Sequence, residues 1–440
     1  MSPVTLALVG SGLRGQSYAR YAVASGLGRV TAVAEPDPYR RAAAAREFGV
    51  PPEHVYADWT ELADADGRLA TAAIVATQDQ LHIGPAVRLA DLGYHILLEK
   101  PMATSERDAI AITEAAERNG ILLAVCHVLR YTPYTRTLRQ LLESGTIGRL
   151  VSVQHLEPVG WWHHAHSFVR GNWRRQDTSA PMLLTKSCHD IDWLIHLFGE
   201  LPDRVASFGG LTHFRAEERP AGAADRCLDC PLETSCPYSA KRLYLGCLGD
   251  AEKEFWPLSA VTEKHTEEAV LDALRTGPYG RCVYGGDNDV VDHQVVTMEF
   301  PSGASCSFTM SAFTPMEHRR TRLMGTHGFI DGDGATLRVV DFRTGEERTV
   351  DADPGAGPTA GDGHGGGDEA LMDAFLAAVA TGDASTLHSD AAESLATHRV
   401  VWAAEEARVT GTVVRLTAPG PALGPALGPA SPPEAAATTA

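Results

Sequence analysis

The feature that most constrains this chain is a glycine triplet, Gly10-x-Gly12-x-x-Gly15, set directly after the β-rich run Val4–Val9 and at the mouth of a helix-compatible run, Arg14–Ala24. Glycines at this spacing permit a tight strand-to-helix turn. They also let the backbone approach a pyrophosphate and leave a helix N-terminus aimed at its charge. A glycine triplet alone is weak evidence, but here the acid that completes the arrangement is present. Glu35 ends a second apolar run, Val30–Ala34, in position for the adenosine ribose hydroxyls. A carboxylate there repels a 2′-phosphate, which favours NAD over NADP, although Arg40 and Arg41 follow closely. Gly10, Gly12, Leu13, Arg14, Gly15 and Glu35 are the predicted dinucleotide contacts.

The alternation continues with strand-like runs at Thr71–Ala76, His95–Leu98 and Ile121–Val125, and helical runs at Pro38–Phe48, Leu81–Leu92 and Ser105–Asn119. Gly26, Gly49, Gly93 and Gly120 follow helices closely, where a left-handed cap belongs. The strands are nearly continuous apolar runs, as expected of a parallel sheet covered on both faces. The pattern predicts an α/β chain with a doubly wound Rossmann domain over residues 1–128. From about Val151, runs rich in Val, Thr and Phe succeed one another, which predicts an α+β domain over 129–416 built on an open, mainly antiparallel sheet. One helix, about Met182–Phe198, precedes that sheet and two follow it, at Glu369–Ala380 and Ala391–Arg408. An irregular insertion spans about 216–284. The Pro-, Ala- and Gly-rich tail, 417–440, reads as disordered.

A formal net charge of −18 opposes binding to phosphate backbones and anionic lipid surfaces, so nucleic-acid and membrane roles are disfavoured. The N-terminus carries no basic region before its apolar run, and no later run reaches spanning length. The expected location is cytoplasmic, where the eight cysteines serve as thiols or metal ligands rather than disulfides. Cys227-x2-Cys230-x5-Cys236, with Cys247 and Cys282 further on, reads as ligands for one structural zinc against free thiols. Cys282, closing the insertion at its far end, is the preferred fourth ligand. Prolines after Cys230 and Cys236 are also a trait of iron–sulfur segments, though the spacing fits no common ferredoxin pattern. Cys126, Cys188 and Cys306 lie in apolar elements and read as core.

Further motifs carry a family resemblance. Val75-Ala76-Thr77 followed by His82, then Glu99-Lys100-Pro101 after the fifth strand, resemble the glucose–fructose oxidoreductase, inositol dehydrogenase and rhizopine catabolism (Gfo/Idh/MocA) family. Arg130-Tyr131-Thr132-Pro133, Ser144-Gly145-Thr146-Ile147-Gly148 and His189-Asp190-Ile191-Asp192 extend the resemblance, which covers about Val4 to Leu416. It implies a Rossmann domain plus an open α/β domain whose sheet often builds homo-oligomers, here a dimer or tetramer. It implies that Thr77, His82 and Glu99 belong to the cofactor site, that Lys100 and His189 face the substrate, and that Arg130 and Tyr131 join the substrate set. The sequence departs from the family one helical turn before the histidine, where an aspartate is common and Thr185 stands here, followed by Lys186. Either Asp190 or Asp192 orients the imidazole, or Lys186 takes part directly.

Hydride transfer from a secondary alcohol needs a base for the hydroxyl proton, which suits His189, and a partner for the developing oxyanion, which suits Lys100. The segment 155–173 holds Trp162, Arg170, Asn172 and Trp173, a composition fit for a sugar site and equally for a packed interdomain loop. The expected function is NAD-dependent oxidation or reduction of a sugar, glycoside or cyclitol. Gly363-His364-Gly365-Gly366-Gly367-Asp368 resembles the corresponding segment of NAD-dependent glycosidases, which act by transient oxidation and elimination; this is the rival enzymatic reading. A non-catalytic NAD-binding regulator is the third.

Overall fold

The computed structural model describes residues 2–353, 355 and 364–416. Six strands form the first sheet: β1 (Val4–Val9), β2 (Gly28–Ala34), β3 (Val55–Tyr56), β4 (Ala72–Val75), β5 (His95–Leu98) and β6 (Leu123–Val125). They are parallel throughout and lie in the order β3-β2-β1-β4-β5-β6. Chain order reverses beside β1, which opens a crevice at the carboxyl ends of β1 and β4, where such sheets bind ligands. Both faces of β1 are buried: Leu6 and Leu8 pack with Tyr18 and Val33, while Ala7 and Val9 pack with Val75 and Leu98.

Local chemistry sets the helix limits. Asp37 caps the helix Pro38–Phe48 by accepting from the Tyr39 and Arg40 amides, with proline at the first helical position. Ser105 caps Glu106–Asn119 through the Asp108 amide. Gly26, Gly49, Gly93 and Gly120 all have positive φ, as their place after helices implied. The two-residue β3 was missed because so short a run has no periodicity to detect.

The second sheet has nine strands: β7 (Leu150–Pro158), β8 (Arg204–Gly210), β9 (His293–Glu299), β10 (Ser305–Ser311), β11 (Arg320–Gly325), β12 (Gly328–Gly332), β13 (Thr336–Asp341), β14 (Glu347–Asp351) and β15 (Val414–Arg415). Their order is β14-β13-β12-β11-β7-β10-β9-β8-β15, with only β7 and β10 parallel. One face packs on the helices Cys188–Phe198 and Ala391–Thr410, where Val296, Met298, Phe308, Ile191, Leu194 and Val401 share one core. Two sequence expectations needed revision here. The helix expected over Met182–Phe198 is two pieces, Met182–Thr185 and Cys188–Phe198, interrupted at Lys186 and Ser187. The segment after β7 is also helical over Trp161–Arg170, and its second half, Ala165–Arg170, is wound as a π-helix.

Candidate active site

The site begins at the crevice. Gly10 has φ +89°, and a Cβ there would lie 2.5 Å from the Ala76 carbonyl oxygen; one on Gly15 would lie 2.1 Å from the Gly10 oxygen. These two glycines therefore let strand, loop and helix pack closely. Gly12 differs: nothing lies within 4 Å of its would-be Cβ, and as N-cap it gives Leu13–Ala24 no side-chain capping bond. The helix N-terminus thus faces open space with unsatisfied N–H groups, the setting an anionic pyrophosphate fills. Glu35 is buried and accepts from the Ser11 amide at 2.6 Å and the Asp37 amide at 2.9 Å, which ties the acid to the glycine loop. Arg41 donates to the Glu35 carbonyl at 2.6 Å, and Arg40 pairs with Glu263 of the insertion at 2.8 Å. Ser11 Oγ and Thr77 Oγ1 are buried without a partner among the described residues. Orphaned hydroxyls beside an open helix N-terminus fit a dinucleotide.

His82, fully buried, lies with its ring nitrogens 2.9 Å from the Pro101 carbonyl and 3.2 Å from the Thr77 carbonyl. It braces the β4 loop against the Lys100–Pro101 turn. Glu99 accepts from Arg14 Nε at 2.7 Å, from the Tyr18 hydroxyl at 3.1 Å and from the Lys100 amide at 2.7 Å. Burial works to raise its pKa, but the Arg14 and Lys100 charges outweigh that and hold the carboxyl below its ordinary value. Arg14 also reaches Asp368 through both terminal nitrogens, at 3.0 and 2.6 Å. Leu13, the first residue of this helix, is partly exposed.

Lys100 Nζ donates to the Thr185 carbonyl at 2.7 Å, at the point where the first helical piece ends before Lys186. His189 opens the second helical piece; it is 5% exposed, and its Nδ1 has no partner among the described residues. Burial pushes its pKa well below the ordinary value, and the charge of Lys100 and the neighbouring His127 and His364 add to the effect. The His127 and His364 rings each lie 6.0 Å from the His189 ring. His364 Nδ1 is 3.1 Å from Asp368 Oδ2. A neutral imidazole with a free nitrogen therefore stands beside an ammonium and a histidine–aspartate pair.

Neither aspartate offered as a stand-in for the missing one binds His189. Asp190 turns to Arg319, which it meets at 3.4 Å through Nη2, and to His155 Nε2 at 3.2 Å. Asp192 takes Arg130 in a bidentate pair at 2.7 Å for both bonds. Lys186 Nζ pairs with Glu157 at 2.9 Å, and Glu157 also meets Arg319 at 3.1 Å. Glu157 and Arg319 were not among the expected residues. Glu157 was hidden because β7 places it on the core face, a fact of sheet register rather than of composition.

Several expected substrate contacts are occupied elsewhere. Arg130 is buried, and its remaining nitrogen meets Glu393 at 2.7 Å. The Tyr131 hydroxyl bonds Ser389 at 3.0 Å and accepts from the His388 amide at 2.9 Å. Both brace the start of Ala391–Thr410. Thr185 is buried, Asn172 is exposed, and Trp162 packs on Trp256 with ring centres 5.2 Å apart. Trp173 donates to Asp79, in the loop after β4, at 2.9 Å. Arg170 lies among the cysteines instead of in the cleft.

Residues 4–127 match the profile of an oxidoreductase family with an NAD-binding Rossmann fold, and residues 139–416 match that family's C-terminal alpha/beta domain. The chain belongs to the Gfo/Idh/MocA oxidoreductase family. Relatives include the putative oxidoreductase YteT of Bacillus subtilis, 26% identical over 59% of this chain and 59% of that protein. Levoglucosan dehydrogenase of Pseudarthrobacter phenanthrenivorans is 28% identical over 51% of this chain and 62% of its own. The matches thus span less than two thirds of either relative. Among solved structures, levoglucosan dehydrogenase with NADH and levoglucosan superposes with a TM-score of 0.68 at 21% identity, covering 94% of this chain and 100% of that one. An Agrobacterium radiobacter oxidoreductase with NAD+, L-tartaric acid and magnesium gives 0.67 at 17% identity, covering 94% and 98%. These likenesses establish the shared fold. Gfo/Idh/MocA membership agrees with the open helix N-terminus and the Glu-Lys-Pro turn.

The single structural zinc expected at Cys227, Cys230, Cys236 and Cys282 requires correction. Among the described residues, no three histidine, cysteine or carboxylate side chains are placed to hold a metal ion. The four thiols instead line a cavity. No helix among the described residues is long and apolar enough to cross a membrane.

Proposed function

We propose that this Gfo/Idh/MocA protein is an NAD-dependent dehydrogenase acting on a secondary hydroxyl of a sugar, glycoside or cyclitol. The observation that carries the reading is the unpartnered Nδ1 of buried, neutral His189 beside Lys100 at the mouth of the crevice. Bound NAD would supply the hydride acceptor. Gly12, Thr77 and Glu35 would hold it, and with Arg40 and Arg41 already engaged, the acid at Glu35 favours NAD. Lys100 spends one of its three donors on Thr185 and keeps others for the reacting oxygen. His189 accepts the hydroxyl proton while Lys100 offsets negative charge building on that oxygen. Lys186, held by Glu157 and three positions before His189, is placed in the catalytic set.

Relatives named as levoglucosan dehydrogenase and as scyllo-inositol 2-dehydrogenase support the substrate class. Assembly through the outer face of the nine-stranded sheet belongs to the same proposal. Phe208 of β8 and Val295 of β9 are paired across it and exposed, Phe208 by 70%. Incubating purified protein and NAD with a panel of sugars, glycosides and inositols tests the reading by NADH formation. Glycosidic or ether bond cleavage with no net NADH would support the elimination reading, which the His364–Asp368 pair beside His189 favours specifically.

A further inference from the structure

The cysteine insertion between β8 and β9 contains short helices and a small core of its own, and shares a second with Ala165, Val169 and Ala312. Its ends are tied by a bridge between Arg226 and Arg281 and by the Cys282 amide donating to the Asp225 carbonyl at 2.9 Å. This closure brings Cys282 to the same cavity as Cys227, Cys230 and Cys236, a space of ≈190 Å³. Cys247 shares a core with Cys227 but does not line the cavity, and it donates to the Leu243 carbonyl at 3.2 Å. Burial pushes the Cys236 and Cys282 thiols up, and both feel Cys227.

Arg170 lines this cavity too. It is 2% exposed, and its guanidinium donates to the carbonyls of Arg281 at 2.9 Å and Tyr238 at 2.8 Å. Nη2 approaches Cys227 Sγ at 3.5 Å, and Nη1 has no partner among the described residues. Among the described residues no carboxylate forms an ion pair with it; Glu233, which lines the same cavity, accepts from the Ser239 hydroxyl at 2.6 Å. A buried cation without an ion-pair partner is strongly disfavoured, which suits the cavity to an anionic occupant.

Four thiolates around one zinc would converge to bonds of about 2.3 Å, and these side chains do not converge on a point. The space exceeds that of several waters, at about 30 Å³ each. We infer that Cys227, Cys230, Cys236 and Cys282 ligate a cubane iron–sulfur cluster whose negative charge is offset by buried Arg170. Each thiol gives up its proton as it binds iron, and the Arg170 N–H groups meet cluster or cysteinyl sulfur. Cys-Pro steps at Cys230 and Cys236 are in keeping with such ligands.

The full chain, produced with supplied iron and purified without oxygen, should contain about four iron and four acid-labile sulfide per protein. It should be brown, and its visible absorption should bleach with dithionite. Cys236→Ser and Cys282→Ser should each lose most of the iron, whereas Cys247→Ser keeps it. Arg170→Gln should retain iron but lower the cluster's reduction potential; an unchanged potential would overturn the part assigned to Arg170. Stoichiometric zinc without sulfide, or four thiols that titrate as free in protein containing neither metal, would overturn the cluster itself.

Discussion

Arg14 and Asp368 lie 354 positions apart and form a two-bond ion pair that fastens the glycine-loop helix to the start of the helix Gly367–Thr381. Burial alone would raise the Asp368 pKa, but Arg14 and then His364 hold it far below the ordinary carboxylate value. Asp368→Asn leaves Arg14 with Glu99 as its remaining carboxylate partner, and because the Arg14 side chain is 35% exposed the cost should be on the order of 1 kcal/mol of stability. It should also loosen His364. Equilibrium unfolding in urea checks the first effect; a midpoint within error of the native protein would show that the pair contributes nothing.

Lys100→Met and His189→Ala should each lower turnover on the true substrate about a hundredfold or more while leaving NAD affinity within a few-fold of native. Both side chains act where charge changes toward the transition state, so ground-state cofactor binding is spared. Lys186→Ala separates two roles. An equal loss of turnover keeps it in the catalytic set; a raised KM alone makes it a substrate contact held by Glu157. Near-native turnover by His189→Ala would end the proton-transfer scheme.

Replacing Glu35 with alanine should weaken NAD binding and relax discrimination against NADP. The change removes both the ribose-facing acid and the brace on the Ser11 amide. Titration with each dinucleotide measures it, and a native preference for NADP would refute the role given to Glu35.

Acid should destabilise the fold before its carboxylates titrate. Burial pushes His127 and His166 down to about 3 and His164 and His398 to about 4. These folded-state values lie below the unfolded value of about 6.5, so between them the unfolded chain binds more protons. Their contribution is present above about pH 6.5 and is lost as pH falls toward the folded values, by up to about 1.4 kcal/mol per pH unit for each ring. Stability that is flat or rising between pH 6.5 and pH 5, measured by denaturant unfolding, would contradict this. By the same shift of His189, the acid limb of kcat/KM should lie below about pH 6.5.

The Rossmann half was legible because its information is local. Glycines, an acid at fixed spacing and capping residues such as Asp37 and Ser105 act within a few positions of themselves, and β1, β2 and β5 bury apolar runs on both faces. The pairing of Lys100 with Thr185 and the isolation of His189 Nδ1 depend on a helix interrupted at Lys186, which apolar periodicity alone reads as continuous. Arg130 and Tyr131 looked like substrate residues in one dimension; Asp192 and Ser389, folded in from distant segments, occupy them. Arg170, the last residue of the π-helix Ala165–Arg170, likewise lies at the cysteines instead of the cleft, and composition does not encode that winding. A charged side chain declares its chemistry in the sequence. Which opposite charge satisfies it is decided only when tertiary packing removes water and leaves one partner within reach.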